Sequence, residues 1–432
     1  MTSMAAGDRS PAKTFHAITH VWGREYLDMF LNVCIPNQLA PGNMPALPAG
    51  SRYRILTRSM HVDELDAHPM VHALRAVIPV DVVVVDELDR FPNGAYGHTL
   101  QIACHQRAMA DAVEANAAII MLSADFVFSE NALAAVVQRH REGYRAVVNT
   151  GLRLRKEPFL QVLQEERPQL AALSSRELVR MALPHLHPHE ESMFADAEAF
   201  SSYPVAVYWR IGSRGLLARC FHLHPLMVDP MRDIPLVGTN DGHYLASACP
   251  DFSRVHVVTD SDELQMFEMT TVRREFLKLG HGGASAWQAA MIAAKCDDLQ
   301  LRHWQEYEIR LHTDDFDEEW TVAARAAERF AGRVMHRRPF SKSVRRLRRT
   351  IGDIEKRRAR YAKAWRRRTR RLRPERLGRS IGRRMERWQR RRPRIRLKSI
   401  QRPLKLWAHR AGKAVSFKRL RRRLRLFPTT HS

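Results

Sequence analysis

The chain predicts an α/β fold: a mainly parallel sheet flanked by helices, with a β-rich second half and a basic helical C-terminal tail. Three observations carry that reading. From Thr14 to Thr150, short apolar runs of strand character alternate with segments of helical spacing, the pattern of successive βαβ units. Val80 to Val85 is apolar enough to be an interior parallel strand buried on both faces. Ala117 to Leu122 is a second such run, and it leads into a lone acidic side chain, Asp125.

Taken in order, Thr14 to Val21 reads as the first strand and ends at Trp22-Gly23. Tyr26, Phe30 and Val33 fall at helical spacing, so an amphipathic helix follows and stops at Pro36. Pro36 to Asn43 is a loop dense in turn formers. Arg52 to Thr57 is a strand, His68 to Val77 a helix, and Tyr96-Gly97-His98 opens a long helix reaching Glu114. After Asp125, Ser129 stands in a good N-cap position for a helix from Asn131 to Arg141, with Gly143 as its C′ residue. Arg145 to Thr150 is a further strand. Beyond Gly151 the alternation loosens. Ser174 or Ser175 caps a short helix, and Tyr203 to Arg210 and Gly215 to His224 are strands around Gly212 to Gly215. Asp260-Ser261-Asp262-Glu263 caps a helical region through Phe276, and Ala284 to Phe330 is helical.

The formal net charge of +25 is unevenly spread. Ala331 to Ser432 holds 40 Lys+Arg and 4 Asp+Glu, a charge of +36, which leaves Met1 to Phe330 at −11. The body is therefore mildly acidic and the basicity belongs to a tail. Trp365, Trp388, Trp407 and Phe417 are interleaved through that tail, and Pro374, Gly382, Pro393 and Pro403 divide it. Such a composition suits amphipathic helices on anionic lipid first, a solvated tail docked on the acidic body second, and nucleic acid third. The body's charge argues against a nucleic-acid-modifying enzyme. Five cysteines, Cys34, Cys104, Cys220, Cys249 and Cys296, form no CxxC pair, so reduced thiols in a cytoplasmic compartment are expected. The opening residues lack the apolar core of a signal peptide, and no run approaches the ~18 apolar residues of a membrane span. A soluble protein is expected, or one lying on a membrane without crossing it.

Candidate chemistry starts at Asp125. A carboxylate at the carboxyl end of a parallel strand can hold a divalent metal and, through it, a diphosphate; it can equally start a turn or cap a helix. His185 to Glu191 is rich in potential ligands, but Pro188 breaks helical pairing, so a solvated loop is expected. Asp86-Glu87-Leu88-Asp89 could contact a nucleotide or be an ordinary strand end, and Asp260-Ser261-Asp262 is most simply a cap. GxSxG, HExxH, Walker and GxGxxG patterns are absent, which weakens hydrolase, protease, ATPase and dehydrogenase readings.

The strand Ile18 to Gly23, the Asn43 loop, and the helix from Tyr96-Gly97-His98 feeding the strand that ends Leu122-Ser123-Ala124-Asp125 together resemble a GT-A fold (Rossmann-like) nucleotide-diphospho-sugar glycosyltransferase, similar to family 2. The likeness covers about Thr14 to Thr150 well and extends loosely to about Asp260; the tail lies outside it. The resemblance implies a leader at 1–13, a catalytic domain at 14–260 with nucleotide and acceptor halves meeting at 150, a helical extension at 261–335 and a basic tail at 336–432. It implies a nucleotide sugar as donor and Mn²⁺ or Mg²⁺ as cofactor. Thr19, His20 and Thr57 would serve the nucleotide end, and Asp125 the metal and diphosphate. The usual Asp-x-Asp is here Ser123-Ala124-Asp125, so one carboxylate is kept. His222 or His224, placed on one face of a strand, could complete the metal site or be buried and bonded to backbone. Asp241, in a polar loop, could be the base for an acceptor hydroxyl or a turn residue. The expected activity is sugar transfer to a bacterial surface-glycan or lipid-linked acceptor in polysaccharide biosynthesis. The enzyme would be cytoplasmic, with the tail holding it on the inner face of the membrane. The alternative is a catalytically inactive GT-A-like scaffold whose tail binds anionic membrane or nucleic acid.

Overall fold

The computed structural model describes residues 12, 14–86, 96–166, 173–232, 234, 243–273, 277–280, 282–340 and 343. Asp241, Glu87 to Asp89 and the basic tail from 344 onward lie outside them. The described residues fall in the compact unit Met1–Arg348.

Thirteen strands are described: β1 Thr14–His20, β2 Arg52–Thr57, β3 Val80–Val84, β4 Ala117–Met121, β5 Phe126–Phe128, β6 Ala146–Asn149, β7 Leu152–Arg155, β8 Ala206–Ile211, β9 Gly215–Cys220, β10 His224–Val228, β11 Val255–Val257, β12 Met266–Thr270 and β13 Ile309–His312. The main sheet has the order β11-β6-β10-β4-β1-β2-β3. It is parallel except for β10, which runs antiparallel between β4 and β6. The predicted mainly parallel α/β sheet is therefore present. Its strands proceed outward from β1 to β3, and then β4 returns to the other side of β1. That reversal leaves a crevice at the carboxyl ends of β1 and β4, where open α/β sheets bind ligands.

Two small sheets flank the main one. One has the order β5-β12-β7, and the other is β13-β9-β8. The hairpin of β8 and β9 turns at Gly212, whose φ of 51° favours glycine. The main core runs from Phe15 through Ile119, Val147 and Met227 to Leu311, and every residue of β4 is buried. A second cluster gathers helices Ala286–Ala293 and Asp298–Glu306, where Trp304 stacks on Phe221 at 4.2 Å between ring centroids.

Several expectations are corrected. The first helix continues past Pro36: Arg24–Met29 runs through a π-helical turn, Phe30–Cys34, into Ile35–Gln38. Pro36 lies in the first turn of that last segment, where its missing N–H is tolerated. β3 is an edge strand of partly exposed residues, because β2 covers one side and no described strand covers the other. Ser129 does not cap the next helix. Its hydroxyl accepts from Gln265 N at 3.0 Å, while helix Ala132–Arg141 starts at left-handed Asn131. That helix is capped instead by the Asn43 loop: Leu133 N–H donates to Asn43 Oδ1 and Ala134 N–H to Gly42 O. Asp260 to Glu263 forms a turn that leads into β12, not a helix cap, and the helical stretch after Ala284 is interrupted by β13. No helix among the described residues is long and apolar enough to cross a membrane.

Candidate active site

A cavity of about 510 Å³ occupies the crevice at the ends of β1 and β4, within the size range of small-molecule sites. His20, Val21 and Trp22 enter it from β1, and Met121 to Phe126 from β4. The helix Tyr96–Glu114 adds Gln101, Ile102 and His105, and the β-rich half adds Tyr208, Cys220 and His222 to His224.

The three-stranded sheet places the charged groups. Met269 N–H donates to Asp125 O at 2.9 Å, which fastens the end of the Ser123 to Asp125 turn to β12. Glu268 is opposite Phe126 on β5 and opposite Arg153 on β7, so the three side chains share the sheet face that borders the cavity. Asp125 is 9% exposed, and its Oδ1 has no hydrogen-bond partner. Burial pushes its pKa up to about 7, and the Glu268 charge adds to the rise. Glu268 accepts from the Thr270 hydroxyl at 2.9 Å and from Arg153 Nε at 3.3 Å.

The opposite wall carries Glu190, which accepts from the Tyr208 hydroxyl at 2.9 Å. Burial raises its pKa to about 7, with Arg153 opposing. His20 and His189 supply little positive charge. Burial lowers His20 to about 4; burial and then Arg153 lower His189 to about 4. His20 meets His105 edge-on at 4.9 Å, and its Nδ1 has no partner.

Of the residues singled out from the sequence, His20, Asp125, His222 and His224 come together on this cavity. Thr19 and Thr57 do not. Alternation along β1 turns Thr19 away from His20, and its hydroxyl lies 2.8 Å from Tyr53 Oη; Thr57 donates to Val21 O at 2.7 Å. Both are buried packing residues. His222 and His224 do not share a strand: β9 ends at Cys220, His222 lies in the connection, and His224 opens β10. His224 Nε2 is 3.2 Å from Met121 O, and its ring meets Phe126 edge-on. Asp86 accepts from Ser59 N at 3.1 Å.

Sequence reasoning passed over Glu268, Arg153 and Tyr208, and set His189 and Glu190 aside as part of a solvated loop. The signal for Glu268 was present: a lone charge in the apolar run Met266-Phe267-Glu268-Met269. His185 to Glu191, expected as a solvated loop, is instead packed: His187 and Glu190 are buried, and His189 and Glu190 border the cavity.

One group of three potential ligands is preassembled among the described residues, Asp260, Asp262 and His312, whose ligand atoms lie within 4.8 Å of one another. These side chains already have partners. Arg176 grips Asp262 with contacts of 2.8 to 3.1 Å, and His312 Nε2 is 2.8 Å from Asp260 Oδ1. Asp125, His222 and His224 form no such trio. The chemistry available at the cavity is that of two neighbouring carboxylates, one carrying an unpartnered oxygen. This suits a hard cation that keeps several waters and takes its remaining ligands from a bound phosphate.

No protein family matches the chain, and no curated protein does. Among solved structures, the apo form of mouse xyloside xylosyltransferase 1 is similar over 36% of this chain and 59% of that one, at 13% identity and a TM-score of 0.23. The likeness thus spans less than two thirds of that structure.

Proposed function

We propose that the cavity is the active site of a glycosyltransferase, moving a sugar from a nucleotide-diphosphate donor to a hydroxyl of a surface-glycan or lipid-linked acceptor. The observation that carries this reading is the buried, unpartnered Asp125 Oδ1 beside Glu268 at the strand-reversal crevice. A buried polar atom without a partner costs about 1–3 kcal/mol, and a ligand that pairs with it recovers that cost. Charge supports a cation there. Arg153 is the one permanently charged base among the described lining residues, and Glu268 already engages it. A diphosphate entering among Asp125, Glu190 and Glu268 therefore needs a further positive charge. Asp125 and Glu268 fit Mn²⁺ or Mg²⁺, with His222 and His224 as flanking contacts. Such an ion, when bound, neutralises the departing diphosphate. Asp241 is proposed as proton acceptor on the resemblance alone, and the tail, with its charge of +36, as the hold on an anionic membrane surface.

The second reading, a scaffold without activity, is favoured by one observation: three ligating side chains do not converge at Asp125 among the described residues. Thermal unfolding with a panel of nucleoside diphosphates, with and without Mn²⁺, separates the two. We expect one nucleotide to raise the midpoint only with Mn²⁺, by an amount equivalent to about 2.7 kcal/mol at a hundredfold excess over Kd. That rise should vanish in Asp125→Ala and Glu268→Gln. A wild-type protein indifferent to every nucleotide would leave the scaffold.

A further inference from the structure

Arg153 is held more loosely than Arg176. Arg176 forks onto Asp262 through both Nε and a terminal nitrogen, the bidentate arrangement that carboxylates favour. Arg153 meets Glu268 through Nε alone, at 3.3 Å. Its side chain remains 40% exposed while bordering the cavity. The register of β7 on β12 fixes this placement, because Arg153 and Glu268 are direct neighbours on adjacent strands. The row ends at Phe126, and Asp125 is the residue before it, its carbonyl fastened by Met269 N–H. A positive charge thus lies against the carboxylates that a divalent cation would use, with the terminal guanidinium nitrogens not committed to a fork.

We propose that Arg153 is the resident counter-ion of this acidic cavity: it neutralises Glu268 while the site is empty, and turns its guanidinium to the donor's phosphate oxygens once a divalent cation takes the carboxylates. The inference rests on the functional reading above and adds an exchange of partners within it. An arginine and a divalent cation repel each other across one carboxylate, so each weakens the other's hold on Glu268. The released guanidinium has a natural acceptor in a diphosphate, which it can bind through two parallel hydrogen bonds. Nothing covalent changes; one ion pair breaks as two others form.

The exchange predicts effects of opposite sign from one substitution. In Arg153→Gln, the affinity for Mn²⁺ alone, read from the free-ion EPR signal, should tighten by roughly tenfold because a competing charge is gone. The affinity for inorganic pyrophosphate at saturating Mn²⁺ should weaken by roughly tenfold because the phosphate contact is gone. Arg153→Lys keeps the charge but not the fork. It should bind Mn²⁺ as the wild type does and still lose pyrophosphate affinity, and it serves equally if the glutamine variant folds poorly. Mn²⁺ affinity that is unchanged or weaker in folded Arg153→Gln overturns the proposal, as does wild-type pyrophosphate affinity in Arg153→Lys. If the wild type binds neither Mn²⁺ nor pyrophosphate, the functional reading itself fails and this inference goes with it.

Discussion

Replacing Asp125 by Asn should make the protein more stable, and increasingly so as pH rises. In the folded chain burial and Glu268 hold the carboxyl near a pKa of about 7, against about 3.9 in an unfolded chain. Below the unfolded value both states carry the proton and the group costs nothing. Between the two values the unfolded state ionises first, so folding requires proton uptake and stability falls. Above about 7 the folded carboxylate is charged as well, and the penalty is constant. Three pKa units at 1.36 kcal/mol each put that plateau at roughly 4 kcal/mol. Asparagine, neutral throughout, has no such penalty, and its amide can donate toward Glu268.

The assay is urea unfolding of wild type and Asp125→Asn at about pH 5.5 and about pH 8.5. All other titrating groups are common to both proteins, so the difference reports Asp125 together with its coupling to Glu268. Its stabilising effect should grow by roughly 2 kcal/mol across that interval, because the wild-type penalty is only about half developed at the lower pH. An effect of the same size at both pH values, or a variant less stable at the higher pH, would refute the reasoning. A gain in stability accompanied by loss of the Mn²⁺-dependent nucleotide shift would match the trade expected of a strained functional group.

Two further substitutions probe the frame rather than the site. Asp229 is fully buried and receives Ala12 N–H at 2.9 Å, with His140 Nε2 at 2.9 Å and an Arg145 terminal nitrogen at 3.3 Å. Asp229→Ala strands the 2% exposed Arg145 and should cost about 3–5 kcal/mol in urea unfolding; a loss below about 1 kcal/mol would contradict that account. At Gly215 an added Cβ would lie 2.3 Å from Leu311 O and 2.8 Å from the Trp320 ring. Gly215→Ala should therefore push β13 from β9 and cost about 1–3 kcal/mol, visible as faster amide exchange at Leu311.

How far the sequence could be read depended on the range of the interaction. Arg52–Thr57 and Tyr96–Glu114 lie where period and turn residues place them, because both patterns are local. Asp125 was visible for the same reason, as the acidic end of an apolar strand. What the pattern could not give was order within the sheet. Val80–Val84 is apolar enough for an interior position and occupies an edge. The acidic run at Asp260 resembles a helix start, but its side chains are claimed by Arg176 and His312 from elsewhere in the chain. Glu268 escaped notice because its meaning depends on pairing with β5 and β7, which no window of neighbouring residues contains.

The strongest argument for a site at Asp125 comes from comparing it with Asp229. Both are buried carboxylates near the ends of main-sheet strands, and they differ in the charge beside them. Asp229 Oδ2 accepts from a backbone N–H and lies beside a histidine, and its Oδ1, which like Asp125 Oδ1 has no hydrogen bond, is ion-paired to Arg145 at 3.3 Å. Its burial is explained by the fold alone. Asp125 keeps an oxygen without a partner, stands beside a second carboxylate, and opens onto a cavity. Thr19 and Thr57, a few ångströms of chain from the same crevice, are satisfied within the protein. Packing satisfies Thr19 and Thr57, while Asp125 Oδ1 and His20 Nδ1 at the cavity are left without partners, at a cost to stability. A cost of that kind is expected where a group is kept for something outside the fold. In this acidic cavity a cation or an O–H or N–H donor would repay Asp125. On the proposed reading, Glu268, brought alongside by β12, stands in for the second carboxylate that Ser123-Ala124-Asp125 lacks.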